Sequence, residues 1–272
     1  VGDGINDVLA IKQANLGIAL ESGSKVTRNA ADMVLLGDAF PTLPQTFLEG
    51  QRIHNGIHDV MKLFLVRVAY FTLLILATGT INGTEAFPFH NKQSALITLL
   101  SVGLPTFTFP LLARPGQPPP STFRALLRFV MPATLMLMLV ALGVFLAHLL
   151  PLEVRDNRAV VDGTQLAIAR SALVTITVVC GLLLVPFLKP PSRFWVAVEP
   201  LSPDRRYTWV TLALLAVYGG VLVVPAARNF FDLVLLPWPE YPLLGAIAGL
   251  WSLLLRYLWR RRTLERFLGI EF

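Results

Sequence analysis

Apolar and polar positions follow two different patterns along the chain. From residue 63 onward, long apolar blocks alternate with short polar loops. A helix rises 1.5 Å per residue and the hydrocarbon core of a bilayer is about 30 Å thick, so about 20 apolar residues make one crossing. Six blocks meet that requirement: 63–81, 93–113, 129–150, 165–188, 207–227 and 241–259. The formal charges inside them are Arg67, Arg170 and Arg256. Arg67 near one span end and Arg170 near another read as side chains that snorkel to the headgroups.

Residues 1–62 follow shorter periods. The run LGIAL (16–20) and the run MVLL (33–36) read as short strands. Between them Ser24 is placed to cap a helix over 25–31. Strand, helix and strand in that order predict an α/β fold with a parallel sheet. Residues 1–44 are too few to bury a core alone, so the sheet is expected to be completed by upstream chain. After Pro44, Phe47, Gly50, Ile53, Ile57, Val60, Met61 and Phe64 recur at three- and four-residue steps, which predicts an amphipathic helix. Glu49, Arg52, His54, Asp59 and Lys62 fall on its polar face. No Pro interrupts its junction with the first apolar block, so one rod is expected to join head and membrane. Gly56 costs that helix about 1 kcal/mol.

Composition agrees with the membrane pattern. Of 272 residues, 54% are hydrophobic and 15% charged, against about 45–50% and 25% in soluble domains. The mean hydropathy of +0.63 excludes a disordered chain. Cys180 is the single cysteine, so no internal disulfide can form. The net charge is +6, but the arginines stand beside apolar runs, which points to a lipid bilayer and not to nucleic acid. With the N-terminus in the cytoplasm, the inner loops and tail hold eleven Lys and Arg and the outer loops four. That bias predicts an integral membrane protein with both termini cytoplasmic. The expected organisation is a head over 1–44, a stalk helix over 45–62, a six-helix membrane domain over 63–260 and a basic tail over 261–272.

The chemistry concentrates at the start. Gly2-Asp3-Gly4-Ile5-Asn6-Asp7 places two carboxylates and an amide within a few residues. If Val1 ends a strand, Asp3 lies at the carboxyl edge of the sheet, where α/β sites sit. Gly2 and Gly4 allow a tight turn and close approach to a ligand. Asp3 and Asp7, four apart, are suited to Mg²⁺, which takes oxygen ligands and phosphate partners.

The string GDGINDVLAIKQANLGIAL, the later AADMVLL and the helix EGQRIHNGIHDVMK leading into the first span resemble the C-terminal part of P-type cation-transporting ATPases. Within that family the wording is nearest to the bacterial cation-transporting ATPase E-like subgroup. The resemblance covers essentially the whole chain. It implies a partial haloacid-dehalogenase-like phosphorylation domain, ATP as the energy source, and ten spans of which these would be the last six. It also implies that Asp3 binds Mg²⁺, and that Asn6 and Asp7 help to hold the phosphoryl group and organise its site. A transported cation, the missing N-terminal part of the pump and the bacterial plasma membrane follow as partners and location.

The chain departs from the family pattern in carrying no DKTGT nucleophile string and no TGE string. It is therefore expected to be catalytically incompetent alone. The alternative is a stand-alone six-span subunit or channel-like module with a degenerate head. The spans offer no carboxylate for a cation, so hydroxyls and carbonyls are the candidate ligands. Thr98 and Ser101 supply hydroxyls, and Pro105, which lacks an N–H, frees the carbonyl of Ser101. Pro105 reads equally as a packing kink.

Overall fold

A computed structural model describes residues 1–82, 87–116, 122–149, 153–155, 158–160 and 163–262. The tail expected over 261–272 therefore lies almost entirely outside the described residues. The chain divides into two units, Val1–Arg52 and Ile53–Phe272. The dividing point falls inside the long helix expected to serve as the stalk.

In the first unit, a 3₁₀ turn (Ile5–Asp7) leads into helix α1 (Val8–Gln13), then strand β1 (Ile18–Leu20), helix α2 (Lys25–Ala30) and strand β2 (Met33–Leu35). β1 and β2 are parallel, with Ile18 opposite Met33 and Leu20 opposite Leu35. Gly2 adds a parallel bridge on the other edge of β1, opposite Ala19. Its N–H donates to the Ile18 carbonyl at 3.0 Å, and its own carbonyl accepts from Leu20 N–H at 3.3 Å. The chain order across this small sheet is thus Gly2, β1, β2. Ser24 caps α2, its Oγ accepting from Thr27 N–H at 3.1 Å. At the β1 start, the Asp32 carboxylate accepts from Gly17 N–H at 2.8 Å.

Helix α3 runs unbroken through Leu43–Asn82. Among the described residues six helices are long and apolar enough to cross a membrane: Phe40–Gly79, Asn91–Leu112, Phe123–Leu149, Gly163–Leu188, Arg206–Val223 and Glu240–Arg261. We number them as spans one to six. The fifth is shorter than the apolar block predicts. Pro225 cannot donate to a preceding carbonyl, and a separate helix, Pro225–Phe230, begins there. Between spans three and four, Glu153–Arg155 and Arg158–Val160 pair antiparallel, a hairpin where the sequence predicts only a loop.

The fourth span is the centre of the bundle, with nearly all of its apolar length buried. Its sequence explains this. Ala169, Ser171, Ala172, Thr175, Thr177, Cys180 and Gly181 are small, and small residues let neighbouring helices approach closely. A Cβ added at Gly181 would come within 3.2 Å of the Ser101 Cβ on the second span. A Cβ on Gly56 would lie 2.6 Å from the Cα of Pro110, so this glycine lets the first span touch the backbone of the second.

Candidate functional site

The loop from Gly2 to Asp7 is held by its own last carboxylate. Asp7 Oδ2 accepts hydrogen bonds from the backbone N–H groups of Asp3 and Gly4, each at 3.1 Å. Asp7 N–H in turn donates to the Gly4 carbonyl at 3.1 Å. A Cβ on Gly2 would stand 2.5 Å from the Asp7 Cβ, so only glycine permits this closure. A second set of bonds ties the loop to α2. Ser24 N–H donates to the Asp3 carbonyl at 2.7 Å, and Thr27 Oγ1 donates to the Gly4 carbonyl at 2.7 Å. Gly23 packs against the same turn, since a Cβ there would meet the Asp3 carbonyl oxygen at 2.8 Å.

This arrangement divides the two carboxylates between two tasks. Asp7 is half-buried and committed to backbone donors, whereas Asp3 and Asn6 are exposed. Asp3 directly follows the Gly2 bridge, at the carboxyl edge of the parallel sheet. The donor set suits a hard divalent cation in part: one exposed carboxylate beside an exposed amide, on a loop fixed from both sides. Among the described residues no group of three or more His, Cys, Asp or Glu side chains converges on a metal position. A metal here would take most of its ligands from phosphate oxygens, water or other chain.

Thr98, Ser101 and Pro105 all fall in the second span, around an irregularity. The helix Asn91–Thr98 passes into a π-helical turn, Leu99–Gly103, before α-helix resumes at Leu104–Leu112. Leu104 N–H donates to the Leu99 carbonyl, the five-residue step of a π turn. Pro105 follows in the first turn of the resumed helix, where its missing N–H is tolerated. Ser101 Oγ is buried and donates to the Ile97 carbonyl at 2.6 Å. Thr98 Oγ1 donates to the Ser94 carbonyl at 2.8 Å.

The sequence pattern misplaces three charged side chains. Arg67, expected to snorkel to the span end, is only 7% exposed, and its Nη2 donates to Ser94 Oγ and Thr98 Oγ1, each at 3.1 Å. Asp59 and Lys62, placed by the pattern on the polar face of the helix, are each 1% exposed. Their partners come from the segment between spans four and five and from the first turn of span five. Lys62 Nζ pairs with Glu199 Oε1 at 2.5 Å. Asp59 Oδ2 receives Lys189 Nζ at 3.3 Å and the Tyr207 hydroxyl at 3.2 Å. These partners are over a hundred residues away in sequence, and helical periodicity cannot report them.

A neighbouring ion cluster joins spans two and five. Arg206 Nε and Nη2 donate to the Asp204 carboxylate at 2.9 and 2.6 Å, and Arg114 Nε approaches it at 3.2 Å. Hydrogen bonds from Arg206 outweigh burial and hold the Asp204 carboxyl below the usual carboxylate range.

No family profile matches the chain. Individual proteins do. The chain is 30% identical over 244 residues to the calcium-transporting ATPase CtpE of Mycolicibacterium smegmatis, a match covering 85% of this chain and 28% of that protein. It is 34% identical over 112 residues to a probable cation-transporting ATPase of Streptococcus pneumoniae, covering 39% of this chain and 14% of the other. It is 40% identical over 79 residues to the mouse calcium-transporting ATPase type 2C member 1, covering 28% of this chain and 9% of the other. The chain thus spans a little over a quarter of the length of the CtpE relatives.

Proposed function

The chain belongs to the cation-transporting P-type ATPases, and we propose that it forms the C-terminal part of such a pump. Its head is read as the end of a haloacid-dehalogenase-like phosphorylation domain. Its membrane part supplies six spans to the transport path of an integral membrane protein. The observation that carries this reading is the glycine loop at the carboxyl edge of a parallel strand, its backbone clamped by Asp7 and its other carboxylate, Asp3, exposed. Similarity to pumps over 85% of the chain favours it over a stand-alone six-span module.

In this reading Asp3 holds Mg²⁺ at the phosphorylation site, and the ion supplies positive charge against phosphoryl oxygens. Asp7 fixes the loop so that Asp3 needs no rearrangement to meet its ligand. Gly2 and Gly4 keep the approach free of side chains, and the exposed Asn6 amide is available to a phosphoryl oxygen. ATP and the nucleophilic aspartate belong to parts of the pump outside this chain, which alone does not hydrolyse ATP. Helix α3 leads without a break from the unit carrying the loop into the first span. The π turn before Pro105 offers backbone carbonyls to a cation beside the Ser101 hydroxyl. The relatives named as calcium transporters make Ca²⁺ the first cation to test.

The test is phosphoenzyme formation from radiolabelled ATP by the complete pump in membranes. Asp3→Asn is expected to lower the acid-stable phosphoenzyme at least tenfold, about 1.4 kcal/mol of lost stabilisation. Wild-type phosphoenzyme in Asp3→Asn would remove the metal assignment.

A further inference from the structure

Spans three and six share an ionisable pair, away from both the glycine loop and the π turn. Span three starts at Phe123, after the segment that follows Pro110, so its last residues lie at the opposite end of the bundle from the contact of Gly56 with Pro110. His148 is the last residue but one of span three, and Glu240 is the first of span six. His148 Nε2 lies 3.1 Å from Glu240 Oε2. The other ring nitrogen, Nδ1, lies 2.8 Å from the Val144 carbonyl, one helical turn back.

These two contacts fix how many protons the pair holds. A carbonyl oxygen only accepts, so Nδ1 carries a hydrogen and donates it. Nε2 then faces a carboxyl oxygen. With a proton on neither atom, two lone pairs would meet beside a full negative charge and the contact would be repulsive. A second proton is therefore required, on Nε2 as an imidazolium or on Oε2 as a carboxylic acid. Either form makes the pair neutral as a whole, which suits side chains only 21% and 24% exposed.

Beneath the pair, a slot of about 290 Å³ runs between the two spans. Val140, Gly143 and Ala147 form one wall and Leu243 and Ile247 the other, and among the described residues only the pair itself brings titratable groups to its lining. Gly143 keeps the slot wide, since a Cβ there would meet nothing within 4 Å. Apolar walls that stand apart attract each other weakly, because dispersion falls steeply across a gap. At the other end of the same two spans Phe129 stacks on Trp259, with ring centres 4.9 Å apart. The two helices are thus packed at one end and bridged at the other.

The other charges towards the bridged end are engaged elsewhere. Arg170 of span four donates to the Phe87 carbonyl and to His90 Nε2. Lys92 pairs with Asp232, and Arg228 donates to the Leu222 carbonyl. The Tyr241 hydroxyl accepts from Leu236 N–H.

We propose that His148 and Glu240 form a proton-binding site, separate from the ion path, whose proton clasps spans three and six over the apolar slot; loss of that proton in alkaline medium parts the two ends and opens the slot to lipid. Imidazoles ordinarily change charge between about pH 5 and 8. The folded pair keeps a proton that the unfolded chain gives up across that range, so its contribution to stability is present at low pH and lost as the pH rises.

Nitroxide labels on the complete protein test this, at Leu146→Cys on span three and Ala246→Cys on span six, two positions outside the slot lining. Nanodiscs of phosphatidylcholine add no net surface charge to shift the local proton concentration. Wild type is expected to give one distance at about pH 6 and an added, longer one at about pH 9. In His148→Gln an amide N–H donates to Glu240 at any pH, so the short distance should persist throughout. Glu240→Ala should show the longer distance at both values. Wild-type distances that do not change with pH overturn the proposal, as does a His148→Gln protein that responds to pH as wild type does. Thermal unfolding of the unlabelled protein reads the site without cysteine substitutions. The wild-type midpoint should fall by a few degrees relative to His148→Gln as the pH rises over the same range, and parallel curves also overturn the proposal.

Discussion

At the scale of single residues, the two carboxylates of the glycine loop should respond differently to substitution. Asp7 works through geometry, since its Oδ2 receives two backbone donors. Asp7→Asn keeps an acceptor oxygen and loses the charge that strengthens both bonds. Asp7→Ala loses both acceptors and leaves two N–H groups to find water. A hydrogen bond to a charged group contributes about 1.5–3 kcal/mol. The expected order of damage to phosphoenzyme formation is therefore Ala worse than Asn at position 7. At position 3, where only ligation is at stake, Asn and Ala should be equally damaging. Phosphoenzyme yields of the four variants check this, and an equal loss for both substitutions at position 7 would assign it a direct ligand role. The loop was readable from sequence because its closure spans four residues, and the residue types themselves carry the turn chemistry. The Ser24 cap was readable for the same reason. Arg67 was not: its polar partners are 27 and 31 residues away, and a lone arginine in an apolar run looks the same whether it snorkels outward or turns inward.

At the scale of elements, the helix α3 shows why local propensity and packing give opposite readings of one glycine. By propensity alone Gly56 is a weakness, and alanine there should stabilise an isolated helix by about 1 kcal/mol. In the folded chain a Cβ at that position would sit 2.6 Å from the Pro110 Cα, and a backbone atom cannot swing aside as a side chain end can. Gly56→Ala is therefore expected to destabilise the membrane domain by about 1–3 kcal/mol, the range for overpacking. Thermal unfolding of the detergent-solubilised protein would report it, and a raised midpoint would mean that spans one and two separate more easily than their packing implies. The buried pairs of Asp59 and Lys62 act on the same helix from another side, through Lys189, Tyr207 and Glu199. The six apolar blocks were legible because length and composition suffice to find a span. Their partners were not, since all six present similar apolar surfaces, and the central place of span four follows from its small residues only once its neighbours are known.

At the scale of the whole molecule, two further consequences concern pH and orientation. Asp204 gathers Arg206 at the start of span five and Arg114 just beyond span two. Its carboxyl is held below the ordinary value, with the Arg206 hydrogen bonds the largest cause. A depressed folded value means that this cluster contributes fully above the unfolded value of about 4 and is lost as the pH falls through the folded one. Acidification below about pH 4 should lower the unfolding midpoint more in wild type than in Asp204→Asn; parallel curves would mean that the cluster adds nothing. Orientation is the broader matter. The basic residues around Asp204 lie in a segment that the charge bias assigns to the cytoplasm, together with Arg114 and Lys189. The segment between spans five and six holds Arg228 as its single Lys or Arg. Pro203 and Asn229 are exposed positions on these two segments, and the lone native cysteine, Cys180, is buried. Single cysteines at Pro203 and Asn229 should therefore be labelled from opposite faces of sealed membrane vesicles by an impermeant maleimide, Pro203 from the cytoplasmic face. Since one helix of 18 residues, Arg206–Val223, separates the two sites, labelling of both from one face would mean that this helix does not cross. Five crossings would then remain, and the two termini could not both lie in the cytoplasm.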